Sequence, residues 1–320
     1  MTNAHTWIYT SGATSKTNKG KVYNMVKKFL VAVLMFSLFV GVLALTGCTE
    51  DSPAAIMPPG VELSAELSEL TELPRIWEVT PREEPATIAA EFSTTNLLQL
   101  MPVTSGELLA TMHTTMGDIT LRFFPTEAPL AVENFLTHAW NGYYDGILFH
   151  RVIPDFMIQT GCPLGTGTGG ESIWGGQFGQ ELSPELRHFR GALAMAQTAQ
   201  PNSIGSQFYI VQNSDLDPST RANFQSYLEM QDEVLEALPD GSSVTVRDLF
   251  PAEAVNYFLE NGGTPHLDWH FSNNPHTVFG HVVSGMDVVD AIANTPATSS
   301  RPVNDVYITG FTFFIVEEGA

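Results

Sequence analysis

Beyond residue 108 most apolar residues fall in short runs bounded by turn-forming residues, and this pattern limits the fold more than any other feature. The runs are LLATMHTTMGDITLRFF, ILFHRVI, FMIQT, GALAMAQ, SQFYIVQ, HTVFGHVV and VYITGFTFFIV. Short runs that alternate, or that stay apolar between glycine and proline, read as β-strands. Met116-Gly117-Asp118 makes the first a hairpin. Helical spacing occurs from Ala128 to Asn141, through Val132, Phe135, Leu136 and Ala139, ending at Gly142, and again in MDVVDAIAN. Residues 214–265 interrupt the strands with helix-favouring sequence, RANFQSYLEMQDEVLEAL and PAEAVNYFLENGG. Many short strands with few helices predict one mainly β antiparallel barrel or sandwich over residues 108–320, capped by helices, with a helical insertion at 214–265. A unit of about 200 residues buries enough apolar surface to hold without disulfides.

The N-terminus has a different organisation. Residues 1–24 are polar and patternless and read as a disordered extension. Lys27 and Lys28 precede an uncharged run from Phe29 to Leu45, followed by Leu45-Thr46-Gly47-Cys48. A basic start, an apolar stretch and small residues before a cysteine resemble a bacterial lipoprotein signal over 25–47. That resemblance implies a lipid on Cys48 and a protein exported to the outer face of the cell membrane; an uncleaved signal anchor is the alternative. Residues 48–107 read as an acidic, proline-rich linker. Within it, Leu63, Leu67 and Leu70 form one short island of helical spacing. All five lysines precede Cys48, and from there nine arginines face 35 acidic residues, a formal charge of −26. Such a surface repels nucleic acid and anionic headgroups, so membrane contact is expected through the lipid alone. With Cys48 lipidated, Cys162 has no disulfide partner and reads as a structural thiol.

Several chemistry-bearing patterns lead elsewhere. Gly165, Gly167 and Gly170 match a G-x-G-x-x-G spacing, but ESIWGGQFGQ follows, which does not open the helix that a dinucleotide loop needs. His266, Asp268, His270 and His276 fall within eleven residues. Their spacing matches no common zinc arrangement, so no metal is expected. No nucleophile paired with a base stands out, and no cofactor is expected.

FHRVIPDFMIQTG, residues 149–161, places His150, Arg151 and Gln159 in an otherwise apolar stretch, where an unpaired polar group is costly. A buried hydrogen bond is the expectation for His150. The stretch is followed by GTGTGGESIWG, MAQTAQPNSIGSQFYI, HLD and HTVFG, in the order of the cyclophilins, the cyclosporin-type peptidyl-prolyl isomerases, which the chain resembles from about Leu109 to Val316. The resemblance implies a closed eight-stranded antiparallel barrel capped by two helices. It implies that Arg151 is the catalytic arginine and Gln159 the glutamine beside it. Phe156, Met157, Tyr209 and Leu267 would form the apolar proline pocket, Ala196, Gln197 and Gln207 the groove for the peptide backbone, and His266 and His276 would be further substrate-binding positions. Tyr209 stands where phenylalanine is common, and His266 where many eukaryotic relatives have tryptophan. The usual short link before His276 is replaced by Asp268 to Pro275, which lengthens one wall. Met157 and Gln159 share a strand face. Pro154-Asp155 interrupts the alternation, so the resemblance alone relates Arg151 to them.

The implied activity is cis-trans isomerisation of X–Pro bonds in exported polypeptides, with arginine donating to the twisted amide and neither metal nor covalent intermediate. The other reading is a non-catalytic module that binds proline-containing segments, or a protein partner at 214–265.

Overall fold

The computed structural model describes residues 97–200, 202–237 and 243–316. The extension, the signal segment, Cys48 and the leucine island lie outside them. The chain forms β1 (Leu108–Thr114), β2 (Gly117–Phe123), α1 (Pro129–Trp140), β3 (Arg151–Ile153), β4 (Met157–Thr160), β5 (Ala192–Met195) and β6 (Phe208–Val211). The 214–265 region follows with α2 (Pro218–Glu229), β7 (Val234–Ala237), β8 (Ser243–Thr245), α3 (Val246–Leu249) and α4 (Ala252–Asn261). A 3-10 turn at Pro265–Leu267 leads to β9 (Val278–Ser284), α5 (Met286–Ala293), the short β10 (Ala297–Thr298) and β11 (Arg301–Pro302), and β12 (Ile308–Ile315).

Eight strands make one antiparallel sheet in the order β12-β1-β2-β9-β5-β6-β4-β3. The expected closure is corrected here: the sheet is an open half-barrel, with no ladder between β3 and β12. β3 is three residues long, and its outer edge is already engaged, because Val152 N–H donates to Ser300 O (2.7 Å) in the β10–β11 hairpin. Contact is limited to the chain ahead of β3 and the start of β12, through Phe149 N–H to Val306 O and Ile308 N–H to Ile147 O, both 2.9 Å, and Gly146 N–H to Ile308 O at 2.8 Å.

The inner face carries the main core. Phe135 on α1 meets Phe123, Tyr144, Phe208, Phe279 and Phe311 at centroid distances of 4.9–5.8 Å, edge-on to Phe208 and Phe311. Val289, Ile292 and Ala293 of α5 join the same cluster. Pro129 suits the first position of α1, since its missing N–H would have no helical partner. No side chain next to the helix caps it. Glu181, fifty residues on, does so instead, accepting from Leu130 N–H (3.0 Å) and Ala131 N–H (2.8 Å).

Two boundaries differ from the sequence reading. DEVLEAL was expected to extend a helix, but α2 stops at Glu229 and Val234 and Glu236 pair with Thr245 and Val244. The region is therefore a hairpin with helices, whose Leu216, Phe224, Tyr227, Phe250, Val255 and Phe258 form a second core together with Phe189. Residues 97–101, counted within the linker, are docked on the domain. Leu97 enters that second core. Gln99 grips Arg187 by both backbone groups, accepting from its N–H (2.7 Å) and donating to its carbonyl (2.9 Å). Arg122 holds Met101 O (2.6 Å) and pairs with Glu107 (2.9 Å).

His138 on α1 and His281 on β9 are both buried, and burial pushes each down to about 4. In the unfolded chain they return to about 6.5. As pH falls from 6.5 to 4, the unfolded state takes up protons that the folded state refuses, so stability present above 6.5 is lost through this window. The urea midpoint should fall steadily from pH 7 to pH 4, and His138→Gln, which keeps a donor for Glu171 O, should flatten the fall.

Candidate active site

β3 and β4 form a hairpin in which Arg151 lies opposite Gln159, Val152 opposite Ile158 and Ile153 opposite Met157. Residues directly opposite in a ladder project to the same face. Register therefore does what alternation along one strand could not: it sets Arg151 beside Gln159. The row continues, with Gln159 opposite Tyr209 on β6, Tyr209 opposite Ala194 on β5, and Ala194 opposite Val278 on β9. It runs along the outer face of the sheet, away from Ile158 and Ile210 in the main core.

The apolar residues of this row collect into one cluster. Met157, Tyr209, Ala192, Ala194, Val211 and Val278 are buried together, with Phe156, Ala196 and Leu267 packed on them. Phe156 is flanked on two sides, by Arg151 with its guanidinium carbon 5.6 Å from the ring centroid and by His266 stacked at 5.8 Å. His276 meets Tyr209 edge-on at 5.5 Å. Its Nδ1–H donates to Met195 O (3.2 Å), and burial holds its ring neutral, pushing it down to about 4. Burial also lowers His266.

A directed chain of hydrogen bonds orients the polar members. Arg151 Nη1 donates to Gln159 Oε1 (3.1 Å), and Gln159 Nε2 donates to Gln207 Oε1 (3.1 Å). Gln207 Nε2 donates in turn to Gly167 O (3.0 Å) and Gly169 O (2.8 Å). The glycine-rich loop thus serves as a set of backbone acceptors at the end of this chain. Arg151 differs from most other arginines among the described residues. Arg122, Arg190, Arg221, Arg247 and Arg301 each pair with a carboxylate; Arg187 is buried with His270 as partner (2.6 Å). Half-buried Arg151 pairs with none and keeps N–H donors beyond the one given to Gln159. Desolvation lowers its pKa, yet a guanidinium stays protonated at neutral pH.

Gln197 reaches the same rim, but its carboxamide is engaged with the lengthened wall, donating to Pro275 O (2.7 Å) and Asn274 Oδ1 (3.0 Å). Of the four neighbouring candidates for a metal, Asp268 accepts from His188, His270 from Arg187, and His276 faces a carbonyl. Among the described residues no group of three His, Cys, Asp or Glu side chains converges on a common point. His150 departs from expectation, because neither ring nitrogen has a hydrogen-bond partner. Its ring lies against Gly167, where a Cβ would come within 3.2 Å, and burial pushes it down to about 4. Cys162 is buried and free. Cys48 lies outside the described residues. Sequence reasoning gave no role to His188, whose imidazole is buried among these groups; nothing short of the spatial contact with Asp268 marks it.

A profile of the cyclophilin type peptidyl-prolyl cis-trans isomerase/CLD family matches residues 109–313. A Staphylococcus aureus (strain USA300) protein carrying the provisional name peptidyl-prolyl cis-trans isomerase is 45% identical over 207 residues, 64% of this chain and 91% of that one. A Staphylococcus haemolyticus (strain JCSC1435) protein of the same provisional name is 44% identical over 216 residues, 67% of this chain and 96% of that one. The crystal structure of a Cryptosporidium parvum cyclophilin type peptidyl-prolyl cis-trans isomerase is similar with a TM-score of 0.46 at 26% identity, covering 65% of this chain and 97% of that one.

Gly170 tests how rigid the acceptor loop must be. Its φ is +87°, and an added Cβ would overlap the Ser206 hydroxyl, which is fixed by its bond to Gly161 O (2.7 Å). Gly170→Ala should cost about 1–3 kcal/mol, read as a drop of several degrees in Tm.

Proposed function

The chain belongs to the cyclophilin-type peptidyl-prolyl cis-trans isomerases, and from that premise we propose that it isomerises X–Pro bonds of exported polypeptides with Arg151 as the donor to the twisted amide. The X–Pro bond resists rotation because the nitrogen lone pair is delocalised into the carbonyl, a barrier of about 18–20 kcal/mol. Unaided rotation takes tens to hundreds of seconds. Twisting returns the lone pair to nitrogen, where a hydrogen-bond donor stabilises it. A permanently protonated, rigid guanidinium suits this, since it donates without giving up a proton.

The observation that carries the reading is the orientation of Arg151: braced by Gln159 and Gln207, free of any carboxylate, and bordering the apolar cluster of Phe156, Met157, Tyr209 and Leu267. Turnover in milliseconds requires about 10⁵-fold acceleration, near 7 kcal/mol. One charge-assisted bond in a preorganised site gives about 3–4 kcal/mol. The remainder is assigned to the pocket, which holds the proline ring while the flanking chain lies along Ala196 and Gln207. Gln197, tied to Asn274 and Pro275, would act there by shaping the rim. Neutral His266 and His276 add no charge that would compete with Arg151.

The cellular setting is part of the proposal and rests on sequence. Lys27 and Lys28, the apolar run and Leu45-Thr46-Gly47-Cys48 support export with lipid on Cys48, a linker, and an isomerase domain working at the outer face of the membrane. The 214–265 region is proposed as the contact for a protein partner, on the ground that it adds a hairpin and helices around a second core.

Arg151→Ala should lower kcat/KM on a proline peptide by about 10²-fold with an unchanged circular dichroism spectrum; a rate equal to wild type would overturn the catalytic assignment. Arg151→Lys keeps the charge but not the fork, and should recover only part of the loss. Cys48→Ala should move the protein from the membrane fraction to the soluble fraction and abolish labelling by a fatty-acid precursor.

A further inference from the structure

Behind the apolar cluster lies a buried polar relay to Tyr209 whose other members, His188 and Asp268, the mechanism above does not use. His188 is 1% exposed, Asp268 1% and Tyr209 3%. Asp268 Oδ1 accepts two hydrogen bonds from the same residue, from His188 backbone N–H and from His188 Nδ1–H, both at 2.7 Å. A carboxylate oxygen accepts, so the ring proton sits on Nδ1 and Nε2 is left as an acceptor. Tyr209 Oη–H donates to that Nε2 at 3.0 Å. The imidazole and phenol planes lie nearly parallel, 13° apart.

The same residue stitches down the pocket wall. His188 O accepts from Thr264 N–H (2.8 Å) while its N–H reaches Asp268, so residues 264–268 are gripped at both ends. Between those points sits the 3-10 turn that carries His266 and Leu267. Asp268 closes the turn by donating its own N–H to Pro265 O (3.0 Å). Floor and wall therefore share one anchor.

We propose that His188 and Asp268 are positioning residues that set the width of the proline pocket, holding Tyr209 as its floor against Leu267 as its wall, and so select a five-membered ring over a larger one. The inference rests on the reading of this cluster as the proline site. A tyrosine hydroxyl buried at a pocket floor is costly without a partner, and here the partner also fixes the ring's depth.

The test compares peptides containing proline with the same peptides containing pipecolic acid, its six-membered homologue, on purified full-length protein. Tyr209→Phe removes only the hydroxyl and leaves His188 Nε2 unsatisfied. It should raise KM for the proline peptide about three- to tenfold, leave kcat within about twofold, and narrow the preference for proline by a similar factor. Asp268→Ala should do the same, Asp268→Asn, which keeps an accepting oxygen, should restore most of it, and adding Tyr209→Phe to Asp268→Ala should change nothing further. Unchanged KM and ring preference in Tyr209→Phe would overturn the proposal, as would additive effects in the double variant or an Asp268→Asn as impaired as Asp268→Ala. Should Asp268→Ala not fold, Tyr209→Phe decides alone. Arg151→Ala run alongside separates the two ideas: if it inactivates while Tyr209→Phe changes neither quantity, only the positioning role falls. If wild type itself does not isomerise the proline peptide, the isomerase reading falls first.

Discussion

Three adjacent strands without a solvent face are the constraint on which this molecule depends. β4, β5 and β6 are buried on one side by the main core around Phe135 and on the other by the cluster around Tyr209. A strand in that position is apolar at nearly every residue, which is why GALAMAQ and SQFYIVQ show little alternation. It also means that any polar side chain on these strands needs a buried partner. Gln159 finds Arg151 and Gln207, and Tyr209 finds His188. The site is thus a set of polar exceptions held in register by backbone pairing, and a one-residue slip would turn each of them toward the wrong face.

Strands and capping helices were legible because each obeys a period set by its own backbone. The Ala128–Asn141 spacing and the observed Pro129–Trp140 helix differ by a residue at each end. Arg151 was harder, since Pro154-Asp155 ends one strand and its relation to Gln159 is a property of hairpin register rather than of spacing. Val234–Ala237 lies in a stretch read as helix-favouring, and pairing with β8 overrides that signal. The open edge of the sheet was not legible either, because closure depends on whether the 297–302 hairpin reaches the β3 edge first. Gln99 and His188 were invisible for a common reason: each is polar, belongs to no motif, and acquires meaning from a residue more than seventy positions away.

Charge distribution has a corresponding logic. In a chain with a formal charge of −21, a lone guanidinium attracts carboxylates, and five of the described arginines have one. Keeping Arg151 clear of them takes structure: amides on one side, the Phe156 ring on another, and strands whose other side chains are apolar. Neutral glutamines brace the guanidinium without quenching its field. Carboxylates at those positions would fix it equally well, but would take up the donors that an amide nitrogen requires.

The docking of residues 97–101 has a mechanical consequence. Gln99 clasps the backbone of Arg187, and the next residue along the chain is His188, which holds Tyr209 and the 264–268 wall. A pull arriving along the N-terminal segment meets Leu97 in the second core and then that joint. The load passes one peptide unit from the floor of the pocket, shared with β9 through Gln99 Nε2 and His281 Nδ1 (3.2 Å), which makes the entering chain and the wall of the binding site parts of a single linkage.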